Sequence, residues 1–180
     1  MSLGSFSIEI YKKEKPPKDN SLTTRKEIMD LLNLKRDKKL VKKRDDLEGS
    51  FKEITDKYNL PFPKDIIDKM VKDSATKVLE LKNYFKRPRP KHLSKAMDVD
   101  LKDIHMPSMK TPSYPSGHSV QGVLIAEYLG DMYPKHKKEF QAMGKEISDS
   151  RRIGGAHFKS DSVLGEKIGK DMWKHLKGNA

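Results

Sequence analysis

The sequence predicts an all-α fold, a single-domain helical bundle. Three observations carry that reading. Apolar residues recur three and four positions apart through most of the chain, which is the spacing of one helix face. No segment shows the apolar–polar alternation of a half-buried strand. The length, 180 residues, suits one core rather than two, and neither an internal repeat nor a second domain is visible.

Residues 1–22 read as an extended arm, because Lys15-Pro16-Pro17-Lys18-Asp19-Asn20 favours turns over helix. The arm is either a free tail or a strap across a neighbouring subunit, which would make the chain a homo-oligomer. Residues 23–180 read as the helical domain. Its first helix opens at Thr24, with Glu27 three residues on as a capping box, and buries Ile28, Leu31 and Leu32. A second helix spans about Asp37 to Tyr58 through Leu40, Val41, Leu47, Phe51 and Ile54, interrupted at Gly49. Leu60-Pro61-Phe62-Pro63 breaks the chain. A third helix runs from about Lys64 to Phe85, and Arg87-Pro88-Arg89-Pro90 ends it. Residues 91–115 read as a long irregular loop with short helical pieces, a length that implies a task. A helix after Ser116 carries Val120, Val123, Leu124, Ala126, Tyr128 and Leu129. Pro134 restarts a helix at its first turn, which reaches Arg151. Gly154-Gly155 interrupts, and a last helix starts near Asp161 and runs past Val163, Leu164, Ile168, Met172 and Trp173.

Composition narrows the partners. The net charge of +12 favours anions. The basic stretch Lys35–Arg44 reads as a solvated helix face; a nucleic-acid groove would add stacking aromatics, and aromatics are only 7% of the chain. Nucleic-acid binding is therefore expected to be weak and non-specific. The absence of cysteine excludes disulfides, thiolate metal sites and thiol nucleophiles. No run of 18 apolar residues is present, so no integral membrane segment is expected. The first residues lack the basic and apolar regions of a signal peptide. The expectation is a soluble protein, cytoplasmic as the chain stands and periplasmic or secreted if a signal peptide was removed.

Three short polar motifs carry the chemistry. Lys82 and Arg89 supply cations, and the prolines beside Arg89 fix its backbone; an arginine fork suits phosphate oxygens. Pro115-Ser116-Gly117-His118 sits at the start of an apolar helix. It reads either as an ordinary capped turn or as an anion site, built from helix N–H groups, a hydroxyl and a glycine that admits a close ligand, with His118 placed for general acid work. Arg151 adds a third cation. His157 precedes Asp161 by four residues, so the pair is either a helix cap or an imidazole oriented by a carboxylate for attack on phosphorus. His92, His105, His136 and His175 show no compact ligand spacing, and no metal or cofactor is expected.

The pattern Lys82–Arg89-Pro90, Pro115-Ser116-Gly117-His118, then Ser150-Arg151, His157 and Asp161 resembles the signature of the type 2 phosphatidic acid phosphatase superfamily. That superfamily also includes vanadium-dependent haloperoxidases and bacterial class A non-specific acid phosphatases. The likeness is strongest to the acid phosphatases, through Ser113-Tyr114-Pro115-Ser116-Gly117-His118-Ser119 and Gly155-Ala156-His157-Phe158-Lys159-Ser160-Asp161, and is strong from about residue 60 to 170. The resemblance implies a helical bundle of the acid phosphatase/haloperoxidase type. It implies metal-independent hydrolysis of a small phosphorylated substrate, a phosphomonoester, through a phosphohistidine on His157. Asp161 would orient His157, and His118 would serve as acid and then base. Lys82, Arg89, Arg151, Ser116 and the Gly117 amide would hold the phosphate. The same signature also admits a vanadate-dependent haloperoxidase, or a phospholipid or isoprenoid-phosphate phosphatase acting at a membrane surface. A basic nucleic-acid-binding protein is the remaining alternative from composition.

Overall fold

Helix α6, Gly117–Met132, is buried nearly all round. A helix apolar on every side belongs in the centre of a core, and α7 (Lys137–Ile153), α8 (Lys159–Gly178) and α4 (Lys64–Phe85) pack around it. The core is the meeting of Val120, Leu124 and Leu129 from α6 with Val78 and Leu81, Phe140 and Ile147, and Leu164, Ile168 and Met172 from those neighbours. Close approach of α6 and α7 depends on Gly144, whose added Cβ would lie 2.9 Å from the Gly122 carbonyl oxygen. The computed structural model describes residues 1–179. Among them every regular element is helical, eight of them α-helices, and no helix is long and apolar enough to cross a membrane.

The helix boundaries correct several expectations. The first helix, α1, is Leu22–Leu32 and starts two residues earlier than Thr24, because Ser21 caps it by accepting the Thr24 N–H at 3.2 Å. Glu27 closes no capping box; it is turned inward, toward the site. The expected helix over Asp37–Tyr58 is two, α2 (Lys38–Asp45) and α3 (Leu47–Lys57). The break falls at Asp46 rather than Gly49: Asp46 is extended and its carboxylate accepts the Gly49 N–H at 2.9 Å, which makes it the cap of a new helix.

Helix α4 has the expected bounds and stops where Lys86 turns left-handed, φ 53°. The loop over 91–115 holds α5 (Pro90–Ala96) and a 3₁₀ turn, Pro107–Lys110. Pro134 opens a 3₁₀ turn, Pro134–His136, and α7 follows at Lys137. Helix α8 begins at Lys159, which puts Asp161 inside its first turn, where it accepts the Phe158 N–H at 2.9 Å.

Residues 1–22 are not extended throughout. They form a 3₁₀ helix, Glu9–Lys13, and bury Leu3, Phe6, Ile8 and Tyr11 in the core shared with α4 and α8. The Tyr11 hydroxyl donates to Asp171 of α8 at 2.6 Å.

Candidate active site

The site lies where the last turn of α4, the N-terminus of α6 and the loop before α8 converge. Ser116 caps α6, accepting the Ser119 N–H at 3.2 Å. The first turn that this cap opens borders a cavity of about 280 Å³ whose wall includes Lys82, Arg89, Gly117, His118 and His157. Such a helix start attracts an anion. Val78, 3.8 Å from where a Cβ on Gly117 would be, forms the adjoining apolar wall with Leu79. A larger cavity, about 400 Å³, lies between Leu3, Met70 and Leu176 and holds none of these residues; the chemistry, not the volume, marks the site.

His157 is buried, and each ring nitrogen has one partner. Nδ1 lies 2.9 Å from Asp161 Oδ2 and Nε2 lies 2.9 Å from an Arg89 guanidinium nitrogen. Arginine only donates, so Nε2 is the bare nitrogen and Nδ1 carries the proton given to Asp161. Burial, then the Arg89 charge, push the His157 pKa down to about 3 against the pull of Asp161. The imidazole is therefore neutral at neutral and mildly acidic pH. Burial alone would push the Asp161 carboxyl up; the hydrogen bond from His157, the charge of Arg87 and the hydrogen bond from Ser113 outweigh it and hold the carboxyl below its ordinary range.

Lys82 Nζ donates to the Pro112 carbonyl at 2.7 Å and to Thr111 Oγ1 at 3.2 Å. Burial, with the like charge of Arg89, lowers its pKa to about 7. Arg89 is pinned by the carbonyls of Thr111 (2.9 Å), Ser108 (2.9 Å) and Ala156 (3.1 Å), and burial lowers its pKa to about 10. The two cations are thus held by neutral oxygens, which leaves their charge for an anion.

Of the remaining expected residues, His118 is part of the wall and Asp161, Ser116 and Arg151 stand behind it. Asp161 backs His157. Ser116 is fully buried in a row of hydroxyls with Ser119 and Ser148. Arg151, 1% exposed, spends its donors on Asp45 Oδ1 (3.0 Å), the Val41 carbonyl (3.1 Å), Ser150 Oγ (3.0 Å) and Met106. His118 Nε2 lies 3.0 Å from the Asp45 carbonyl oxygen and 3.3 Å from its carboxylate, so Asp45 touches both His118 and Arg151. No three His, Asp or Glu side chains gather as metal ligands among the described residues.

The PAP2 superfamily matches residues 70–170, more than half of the sequence, a span that holds Lys82, Arg89, Ser116, Gly117, His118, Arg151, His157 and Asp161. The chain belongs to the PAP2 superfamily. Two curated relatives carry the name non-specific acid phosphatase. One, from Salmonella typhimurium (strain LT2), is 36% identical over 88 residues, 49% of this chain and 35% of the relative. The other, from Salmonella typhi, is 35% identical over the same shares. The match thus spans about a third of the length of either relative.

Four residues of this PAP2-superfamily site were not singled out by sequence reasoning. Arg87 donates to Asp161 Oδ1 at 2.7 Å, Ser113 donates to Asp161 Oδ2, Glu27 stands behind Arg87, and Asp45 bridges His118 and Arg151. Arg87 carried a signal, since it repeats the Arg-Pro step of Arg89-Pro90 two residues earlier. Asp45 and Glu27 carried none: they reach the site from helices outside the motifs, and one sequence does not reveal long-range pairing.

Proposed function

We propose that this protein hydrolyses phosphomonoesters through a phosphohistidine on His157, without help from a metal ion. The observation that carries the reading is the His157 ring itself: buried, neutral, oriented by Asp161 through Nδ1, and turned with its bare Nε2 toward the cavity wall that Lys82 and Arg89 share. A neutral, oriented imidazole is an activated nucleophile. Fixed cations and helix amides stabilise the charge that builds on the phosphoryl oxygens.

In the first half-reaction the Nε2 lone pair attacks phosphorus and the bond to the ester oxygen breaks. Arg89 gives up its contact with Nε2 and turns its donors to the phosphoryl oxygens. His118 gives a proton to the departing alkoxide; its Nε2 is engaged by Asp45, which leaves Nδ1 for proton exchange. In the second half-reaction neutral His118 takes a proton from water, the hydroxide attacks phosphorus, the P–N bond breaks, and inorganic phosphate leaves with His157 restored. The Gly117 amide and the Arg151 charge would hold phosphoryl oxygens alongside Lys82 and Arg89, and Ser116 would contribute its hydroxyl; Arg151 must exchange Asp45 for substrate to do so. The similarity to proteins named non-specific acid phosphatase supports a small phosphorylated substrate.

The test is turnover of p-nitrophenyl phosphate between mildly acidic and neutral pH, with and without EDTA. Turnover unaffected by chelator is expected. Activity lost in EDTA and restored by zinc or magnesium would remove the metal-free claim. Absence of turnover on any phosphomonoester or anhydride would remove the enzyme.

A further inference from the structure

Behind the His157–Asp161 pair stands a buried layer of charge that the reaction above does not use. The Arg87 side chain is fully buried. One terminal nitrogen donates to Asp161 Oδ1 and to Ser160 Oγ, both at 2.7 Å; the other faces Glu27 Oε2 at 3.4 Å. The guanidinium lies 3.9 Å from the centre of the Phe158 ring. Glu27, from α1, also accepts the Ser160 N–H at 2.7 Å and its hydroxyl at 2.9 Å. The result is one buried row, Glu27–Arg87–Asp161–His157, which ends at the cavity. Glu27 lies outside the span that matches the superfamily.

Packing alone does not account for this choice. Replacing a buried ion pair by well-packed apolar residues of similar volume is often neutral or stabilising. Arg87 Nε, moreover, is buried with no partner among the described residues, a further cost that packing would avoid.

We propose that Arg87, anchored by Glu27, is a positioning residue for the chemistry at His157: it holds the Asp161 carboxylate ionised and in one orientation, so that Asp161 keeps the proton on Nδ1 and Nε2 stays bare. The inference rests on the reading of His157 as nucleophile. Every other partner of Asp161 sits on Oδ2, namely His157 Nδ1, the Phe158 N–H and Ser113. Arg87 is the cation on Oδ1 and, among the described residues, the only full charge in direct contact with the carboxylate once His157 is neutral. The other charged or titratable groups acting on this pair are Glu27 from α1, Lys82 from α4, Arg89, and Tyr114 from the loop before α6. Removing the Arg87 charge makes a proton easier to hold on Asp161 and on His157 alike, so the pair must titrate at higher pH. A proton on either member ends the arrangement: protonated His157 has no lone pair at Nε2, and protonated Asp161 no longer fixes the tautomer.

The test compares the parent with Arg87→Lys, Arg87→Met and the double variant Glu27→Gln/Arg87→Met, which also removes the Glu27 charge that Arg87 faces and carries the comparison if Arg87→Met does not fold. Two readouts are taken: kcat/KM for p-nitrophenyl phosphate against pH, and the protonation of the His157 ring by ¹⁵N NMR. In Arg87→Met and in the double variant, the acid limb is expected to move up by about one pH unit, roughly a tenfold loss below the limb. Imidazolium at His157 is expected at a pH where the parent ring is neutral. Arg87→Lys should restore most of both. A folded double variant with the parent's limb and the parent's His157 titration overturns the proposal, and so does an equal loss of kcat at every pH, the mark of a merely structural role. A parent that hydrolyses no phosphomonoester overturns the phosphatase reading instead, and the NMR titration then decides the Arg87 proposal alone.

Discussion

His157 and Asp161 stand one helical turn apart, Nδ1 2.9 Å from Oδ2, with the carboxylate inside the first turn of α8 and the imidazole just before it. The same Oδ2 accepts the Phe158 N–H at 2.9 Å, so one oxygen both caps the helix and orients the ring. The helix cap and the oriented imidazole, alternatives when the motif is read by itself, are one arrangement.

Asp161→Asn separates the two duties. An amide oxygen can still accept the Phe158 N–H, but Ser113, Arg87 and the His157 Nδ1–H all require an acceptor, and an amide offers only one oxygen. If its NH₂ faces Nδ1, the proton moves to Nε2 and the nucleophile is lost, an effect on the order of 10⁴-fold when a histidine tautomer is inverted in this way. Buried Arg87 would also lose the nearer of its two counter-charges and keep only Glu27 at 3.4 Å, a loss that destabilises the fold. The expected outcome is a folded but less stable protein with almost no turnover, read by urea denaturation and by kcat on p-nitrophenyl phosphate. A variant with near-parent kcat would remove Asp161 from the mechanism.

The pH dependence of anion binding follows from Lys82. Burial lowers its pKa from the ordinary lysine value to about 7, so the ammonium is present below about pH 7 and lost as pH rises through that value. Inhibition by vanadate or phosphate should therefore weaken above neutrality. Lys82→Met should bind these anions roughly 10- to 100-fold more weakly at pH 6, the worth of about 1.5–3 kcal/mol for a charge-assisted hydrogen bond. The variant should also lose the fall in affinity near pH 7. Inhibition constants measured from pH 5 to 9 in parent and variant check both points; a slope that persists in Lys82→Met would place the titrating group elsewhere.

The two histidines separate by leaving group. His157→Ala should abolish turnover of every substrate. His118→Ala should lose cleavage of alkyl phosphates by roughly 10²–10⁴-fold, the range for general acid–base help. Nitrophenolate leaves without a proton, so phosphorylation of His157 should survive better, and hydrolysis of the phosphoenzyme, deprived of its base, should lag. Acid quenching of His118→Ala after mixing with p-nitrophenyl phosphate should therefore trap phosphate on His157. Phosphate found on His118 in the parent would reverse the two roles.

The elements that were legible in the sequence are those set by local rules. Helix α4 was bounded by the Leu60–Pro63 break and the Arg87–Pro90 stop, and α6 by the Ser116 cap and the apolar residues from Val120 to Leu129. The motif residues Lys82, Arg89, Gly117, His118 and His157 do share one cavity wall. What stayed hidden depends on tertiary partners. Asp46 wins over Gly49 as the break because its carboxylate finds the Gly49 N–H. Residues 3–11 leave the expected extended path because their apolar side chains find the α4–α8 core. Glu27 reads as a capping-box acid and Asp45 carries no motif at all; only folding brings 45 to 151 and 27 to 160.

The junction of α6 with α8 links stability to the site and can be probed without touching a polar residue. Gly165 and Gly169 both lie on α8 and both face α6. A Cβ on Gly165 would come within 2.7 Å of the Ser116 carbonyl oxygen and 2.8 Å of Ser119 Cβ; one on Gly169 would come within 2.5 Å of the Val120 carbonyl oxygen. Either alanine must push the helices apart, because backbone cannot yield as a flexible side chain does, and overpacking of this kind costs about 1–3 kcal/mol. The consequences for function should differ. Gly169 presses on the second turn of α6, so Gly169→Ala should lower stability and leave most of kcat. Gly165 presses on the cap itself, whose displacement moves the Gly117 amide relative to His157, and a shift of about 1 Å at such a site can cost 10²-fold in rate. Gly165→Ala should therefore lose both stability and activity, with the activity loss persisting well below the melting temperature. Denaturation midpoints and kcat at low temperature for the two variants decide it, and equal activity in both would show that the α6 cap is not held in place by α8.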